Sequence, residues 1–322
     1  MKFSIITPSL NQLPYLKRCV ASVADQLSPL RWQKSEDRGR KTDNLISDLR
    51  SPIAGRSEAS FHVHHHVQDA GSDDGTVEFL KEYTAGQSST PNYQLTFASE
   101  SDEGMYDALN KGLSLASGDI IAWLNCDEQY LPGTLSKVEN FFDQENQVDL
   151  TYGDALLIAS SGKLLTFRKN PPLRRAYVLA DHLYTQSASM FFRAEIFRSG
   201  LRFNTEWKAV GDSELVEQVL GAGFCAGQIR DYLSACTMTG NNLSCRSAGP
   251  AELAEFRGRS ARRYRIGRPF WNTFRYIEKW MRGGYCQTVP FSYALYIDSD
   301  NERRVLTEWD ADFRFRWGSD DA

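Results

Sequence analysis

The chain has 322 residues, 41% of them hydrophobic and 24% charged, which excludes a mainly disordered protein and leaves room for one large α/β domain with an appendage. Its 37 basic and 41 acidic side chains give a net charge of −4, so no global field draws it to nucleic acid. Six cysteines without a CxxC pair argue against a zinc module or a disulfide framework and for reduced thiols in a cytoplasm.

The first apolar run, Phe3 to Ile6, is too short for a signal-peptide core, and no stretch approaches the roughly 20 apolar residues of a spanning helix. That run predicts a strand stopping at Thr7-Pro8-Ser9; Leu13, Leu16, Val20 and Val23 then recur at helical spacing, with Asn11 as the expected cap and Pro14 in the first turn. Residues 28–60 break the pattern with dense charge and read as a solvated insertion. A strand resumes over 61–68 and ends in the turn-rich loop 69–76, followed by a helix with Val77, Leu80 and Tyr83 inward. His62, His64 and His66 alternate along that strand; a solvated face is the expectation over a metal site, because no second set of ligands is in view.

Residues 95–98 form the third expected strand, and Met105, Leu109, Leu113 and Ala116 step along a helix stopped by Gly118. Ile120-Ile121-Ala122-Trp123-Leu124 is then a strand buried on both faces, ending in Asn125-Cys126-Asp127-Glu128. Further strands are expected at 150–152, 155–159, 163–167 and 189–192, and a helix over 212–220. From Arg257 onward arginine and aromatic residues dominate. The resulting organisation is a domain over 1–240, in two halves 1–135 and 136–240, then an Arg- and aromatic-rich helical extension over 241–322.

Polar clusters thus close three strands at their carboxyl ends, where open α/β sheets bind ligands. Neither GxGxxG nor GxxxxGK[ST] occurs, so phosphates would be met differently, by a divalent cation on carboxylates such as Asp127 and Glu128.

Several motifs in order give the chain a resemblance to the family 2 glycosyltransferases of GT-A fold. Ser4-Ile5-Ile6-Thr7-Pro8-Ser9-Leu10-Asn11 looks like the family's first strand and nucleotide-contacting turn. Asp69-Ala70-Gly71-Ser72-Asp73-Asp74-Gly75-Thr76 is similar to its D-x-G-S-x-D-G-T loop, whose leading acid reads the base and ribose. The segment from Glu100 through Asp102, Asp107 and Lys111 to Gly112 resembles E-x-D-x-G-x-Y-D-A-x-N-K-G, and Asn125-Cys126-Asp127-Glu128 stands at the D-x-D metal motif. Tyr152-Gly153-Asp154, the strand from Gln186 to Arg193, and Val210-Gly211-Asp212 match weaker family features.

The resemblance implies a mixed, mainly parallel sheet flanked by helices and an inverting transfer from a nucleoside-diphosphate sugar to a hydroxyl on a glycan or lipid-linked acceptor. It implies nucleotide contacts from Thr7, Pro8, Ser9, Asn11, Asp69, Ser72, Asp102, Asp107, Lys111 and Asn125. Mg²⁺ or Mn²⁺ would sit on Asp127, assisted by Glu128. Acceptor or pyrophosphate contacts would come from Gln186 and Arg193. Asp212 is the expected base, with its anion favoured by a helix N-terminus, and Asp154 the alternative; Asp212 as a plain helix cap stays open. N-x-D-E departs from D-x-D-D by losing one carboxylate, which favours weaker metal binding. A catalytically silent nucleotide- or carbohydrate-binding protein and a sugar-phosphate nucleotidyltransferase remain as alternatives. Residues 257–282 could lie on the inner face of a membrane or pack their aromatic face on the domain.

Overall fold

The computed structural model describes residues 1–27, 32–33, 61–87, 92–240, 242, 248–297 and 302–310. Apart from Trp32 and Gln33, the insertion expected over 28–60 lies outside the described residues. The first half runs β1 (Lys2–Ser9), α1 (Leu13–Ala24), β2 (Trp32–Gln33), β3 (His62–Asp69), α2 (Thr76–Ala85), β4 (Tyr93–Ser99), α3 (Met105–Leu115), β5 (Ile120–Trp123) and β6 (Glu128–Tyr130). It continues with α4 (Thr134–Gln144), β7 (Leu150–Ala159), β8 (Leu164–Arg168), α5 (Arg175–Ala180), β9 (Met190–Arg193), α6 (Ala194–Arg198), α7 (Gly211–Gly221) and β10 (Ala226–Met238). The extension adds α8 (Ala248–Arg259), α9 (Arg262–Ile266), α10 (Arg268–Met281), β11 (Phe291–Leu295) and β12 (Arg303–Glu308).

Nine strands form one sheet in the order β4-β3-β1-β5-β9-β7-β10-β6, with β8 on β7. β4, β3, β1 and β5 are mutually parallel, and β9 runs antiparallel between β5 and β7. This is the expected mixed, mainly parallel sheet. The chain leaves β1 to build β3 and β4 on one side, then returns through α3 to β5 on the other. The crevice above the carboxyl ends of β1 and β5 is therefore a topological switch point.

Strand alternation feeds a core on each face. Phe3, Ile5, Val63 and Val67 pack with Leu16, Val20 and Leu80, while Ile6, Ile121 and Trp123 pack with Tyr106, Leu109 and Phe192. Three expectations are corrected. The face carrying His62, His64 and His66 is solvated only at its first residue: His62 is exposed, His64 half-buried and His66 buried, and Thr96 Oγ1 lies 2.8 Å from His64 Nε2 and 3.0 Å from His66 Nδ1. Burial lowers both imidazole pKa values. Asn11 is not the cap of α1; Asp74 Oδ2, from the loop after β3, accepts the Leu13 amide at 2.8 Å instead. The extension is not wholly helical, because β11 and β12 join β2 in a second sheet of three strands. No helix among the described residues is long and apolar enough to cross a membrane.

Candidate active site

The two loops at the carboxyl ends of β1 and β3 are built as one unit. Asn11, in the left-handed region at φ 51°, accepts the Asp73 amide on Oδ1 at 2.9 Å, and its own amide donates to Ser72 Oγ at 2.8 Å. Asp69 is fully buried and receives the amides of Gly71 and Ser72, both at 3.0 Å, and the hydroxyls of Ser72 and Ser99 at 2.5 and 2.6 Å. Asp69 thus shapes the loop from within, leaving Ser72 at its surface. Thr7 is likewise enclosed, with its hydroxyl 2.8 Å from His65 Nε2 below the crevice; Pro8 and Ser9 stand above it at the strand end.

The loop leading into α3 is also self-organised. Asp102 accepts the Gly104 amide at 2.9 Å and Asp107 the Glu103 amide at 3.2 Å. Lys111 reaches the Ser101 carbonyl at 2.9 Å and Glu100 at 3.3 Å.

After β5 the chain turns over Asn125 and Cys126 and re-enters the sheet at β6. The Asn125 amide donates to Glu128 Oε2 at 2.8 Å, while its side-chain Oδ1 is buried and meets no protein donor among the described residues. An unpaired buried carbonyl is costly, so a ligand hydroxyl is the natural partner for it. Asp127 accepts Asn242 Nδ2 on Oδ2 at 2.7 Å, and its main-chain carbonyl accepts the Thr237 amide at 2.8 Å.

Burial pushes the Asp127 carboxyl up to about 6. Glu128 is pushed up to about 8, first by burial and then by the charge of Asp127. The charge of Asp212 adds a smaller upward push on Glu128. Asp212 itself is raised to about 6 by burial, against the Ser213 amide that donates to its Oδ1 at 2.8 Å. The helix-terminus expectation of a lowered value is corrected, because desolvation outweighs the dipole.

Tyr106 sets the position of Asp212. The Asp212 amide lies 3.4 Å from Tyr106 Oη, and a Cβ on Gly211 would come within 2.7 Å of the Tyr106 ring. Tyr106 is held in turn by a stack on Phe203, with centroids 5.3 Å apart.

Three further expected residues are Asp154, Gln186 and Arg193. Asp154, buried in β7, accepts the Asn170 amide at 2.8 Å and lines a polar cavity of about 360 Å³ with Lys169, Gln228, Tyr232 and Arg282; burial raises it to about 7. Gln186 opens the short turn before β9. Arg193 is a correction: it pairs with Ile120 at the amino end of β5, donates to the carbonyls of Val148 and Phe142 at 2.8 and 3.1 Å, and lies over the Phe142 ring. The structure therefore spends it on packing at the far end of the sheet. Asn242 is the residue sequence reading missed, because nothing local links it to a carboxylate 115 positions earlier.

Among the described residues no three His, Cys, Asp or Glu side chains gather at a metal-sized point. Asp127 and Glu128 supply an oxygen-only pair, which suits a hard cation completed by substrate phosphates and water.

Comparison with known proteins bears on this arrangement. A sequence profile described as "Glycosyl transferase family 2" matches residues 62–198. The PGL/p-HBAD biosynthesis glycosyltransferase of Mycobacterium tuberculosis is 27% identical over 158 residues, 48% of this chain and 47% of that protein. The minor teichoic acid biosynthesis protein GgaB of Bacillus subtilis is 26% identical over 167 residues, 48% of this chain and 17% of that one. This chain thus spans about half the length of the mycobacterial relative and less of the Bacillus one. The S. aureus TarS 1-349 structure in complex with UDP-GlcNAc aligns at TM-score 0.55 and 17% identity, covering 80% of this chain and 64% of that chain. That likeness fixes the fold as GT-A.

Proposed function

We propose that the chain, whose residues 62–198 match the family 2 glycosyltransferase profile, is an inverting glycosyltransferase moving a sugar from a nucleoside-diphosphate donor to a hydroxyl of a glycan or lipid-linked acceptor. The observation that carries this reading is the pair Asp127 and Glu128 at the carboxyl end of β5, beside an Asn125 Oδ1 that is buried and meets no protein donor among the described residues; Asp212, at the start of α7, is the second acid of the proposal. Two acidic stations are what an inverting transfer needs, one for the leaving group and one for the acceptor proton.

Asn125 Oδ1 accepts from a ribose hydroxyl, and the joined loops of Asn11 and Ser72 flank the base. Asp102, Asp107 and Lys111 hold the neighbouring loop in shape, and Gln186 faces the acceptor side. Asp127, with Glu128, would hold Mg²⁺ or Mn²⁺, which when bound neutralises the diphosphate and stabilises it as it leaves. Asp212 takes the proton of the acceptor hydroxyl as that oxygen forms its bond to the anomeric carbon. The bond from that carbon to the diphosphate breaks on the opposite face, and the nucleoside diphosphate leaves with the electron pair. Asp154, in its separate cavity, serves the acceptor.

The named relatives are a PGL/p-HBAD biosynthesis glycosyltransferase and a minor teichoic acid biosynthesis protein, which supports a place in polysaccharide or glycolipid assembly; a cytoplasmic location, peripheral to the membrane, is part of the proposal. A nucleotidyltransferase or a silent binding protein is not favoured, since those relatives carry transferase or glycan-synthesis names.

The test is a thermal-shift screen of UDP-, GDP-, dTDP- and CMP-sugars with Mn²⁺ and with a chelator, because ligand bound to the native state raises its melting temperature. A metal-dependent shift with one nucleotide class is expected, and Asp127→Asn should abolish it. Asp212→Asn should keep the shift and lose roughly 10²–10⁴-fold in kcat. Equal donor binding by wild type and Asp127→Asn would sink the metal assignment.

A further inference from the structure

Helix α10 is inside out. Phe270, Phe274, Ile277 and Met281 recur at the i, i+4, i+7, i+11 spacing of one helical face, and they are 63, 45, 47 and 73% exposed. Trp280 beside them and Ile266 in α9 are 71 and 68% exposed. The opposite face, turned to the domain, is polar. Arg275 is buried and reaches Asp181 Oδ2 at 3.0 Å, and Arg268 reaches Asp181 Oδ1 at 2.9 Å. Glu278 accepts from Arg174 Nη2 and Tyr177 Oη, both at 2.7 Å. A helix whose polar residues are spent on fixed ion pairs inside and whose apolar stripe faces out is shaped for an apolar exterior. Among the described residues only Phe274 of the stripe meets a ring of the domain, that of Tyr177 at 6.4 Å between centroids.

The charges choose among exteriors. Residues 260–289 hold seven basic side chains and one acidic, Glu278, and that one is turned inward. Arg262, Arg263 and Arg265 are exposed at the amino end of the stripe, and Arg282 at its carboxyl end. A second copy of the same face would bring like-charged rims together, whereas an anionic lipid surface meets both the stripe and its rim.

We propose that the outward face of α9 and α10 docks the protein on an anionic bilayer, with Phe270, Phe274, Ile277, Trp280 and Met281 seated at the level of the acyl boundary and the arginines among the headgroups. The proposal refines the peripheral location in the proposed function, but the docking itself needs no catalysis. It gives the clamp of Arg268 and Arg275 on Asp181 a purpose, since the clamp fixes the angle at which the catalytic crevice meets the surface.

The experiment is co-sedimentation of the full chain with phosphatidylcholine vesicles with and without phosphatidylglycerol, at low and high salt, for wild type and the double variant Phe274→Ser/Ile277→Ser. Both substituted positions are exposed, and an unchanged melting temperature and donor-induced shift verify the fold. Wild type should bind the anionic vesicles, lose binding in salt, and exceed the variant by about tenfold or more. Equal binding by both proteins, or none by wild type, overturns the proposal. A concentration-dependent dimer of wild type in light scattering, absent in the variant, also overturns it by assigning the face to a second copy. A missing donor shift in a wild type that still binds vesicles would count against the proposed function alone.

Discussion

At the scale of single residues, the carboxylates of the crevice are governed by desolvation more than by their partners. Asp212 shows this most simply: the Ser213 amide favours its anion, yet burial carries it from 3.8 up to about 6. A base must be deprotonated to work, so this shift makes activity fail at a higher pH than an exposed aspartate would allow. The expected kcat/KM profile rises with unit slope from acid pH and levels above about 6; a profile flat through that region overturns the assignment of Asp212. The sign for stability is the reverse. Folding favours the protonated form, so the contribution of Asp212 is fully present below 3.8 and is lost as pH rises through about 6. The site therefore holds a group that is useful when it is least favourable to the fold.

At the scale of elements, function depends on how α7 is seated. Gly211 lies against Tyr106 so closely that a Cβ would come within 2.7 Å of Cε2 and 2.8 Å of Cζ. Tyr106 cannot retreat, being buried and stacked on Phe203. Gly211→Ala gains about 1 kcal/mol of helix propensity, but overpacking of this kind costs about 1–3 kcal/mol. The expected outcome is a net loss of stability with a larger loss of kcat, as Asp212 is displaced; urea denaturation and steady-state kinetics on the same preparation measure both. The sequence carried part of this. The Tyr-Asp-Ala run, the Gly-Asp pair that holds Asp212 and the Asn-Cys-Asp-Glu run that holds Asp127 and Glu128 are all visible as motifs. That Tyr106 would touch Gly211, or that Asn242 would hold Asp127 at 2.7 Å, follows from tertiary closure over more than 100 residues and leaves no local pattern. Asn11 shows the same limit: its position is that of a cap, but Asp74 takes the role from another loop.

At the scale of the whole molecule, the carboxyl-terminal segments are tied into the first half of the chain. β12 pairs with β2, a connection that densely charged sequence around 34–41 gave no reason to expect. Gln129 donates to the Tyr296 carbonyl and accepts the Tyr296 amide, both at 2.9 Å. Arg303 is wholly buried; its Nε and Nη2 grip Asp25 at 2.6 and 2.9 Å, and Nη1 and Nη2 donate to the carbonyls of Ala294 and Ser22. Periodicity predicts amphipathic segments but not which partner neutralises a buried arginine 278 positions away. The energetic consequence is asymmetric. Asp25→Ala leaves the guanidinium buried without its counter-ion and should cost about 3–5 kcal/mol. Removing both charges in Asp25→Leu/Arg303→Met replaces the pair by apolar volume, and such exchanges are often neutral or stabilising by about 1–4 kcal/mol. Chemical denaturation of Asp25→Ala, of the single variants Asp25→Leu and Arg303→Met and of the double variant checks this. The double variant should be more stable than Asp25→Ala, so that the two losses do not add; strict additivity would mean that Asp25 and Arg303 are each held by other partners and that the second sheet does not depend on their pairing.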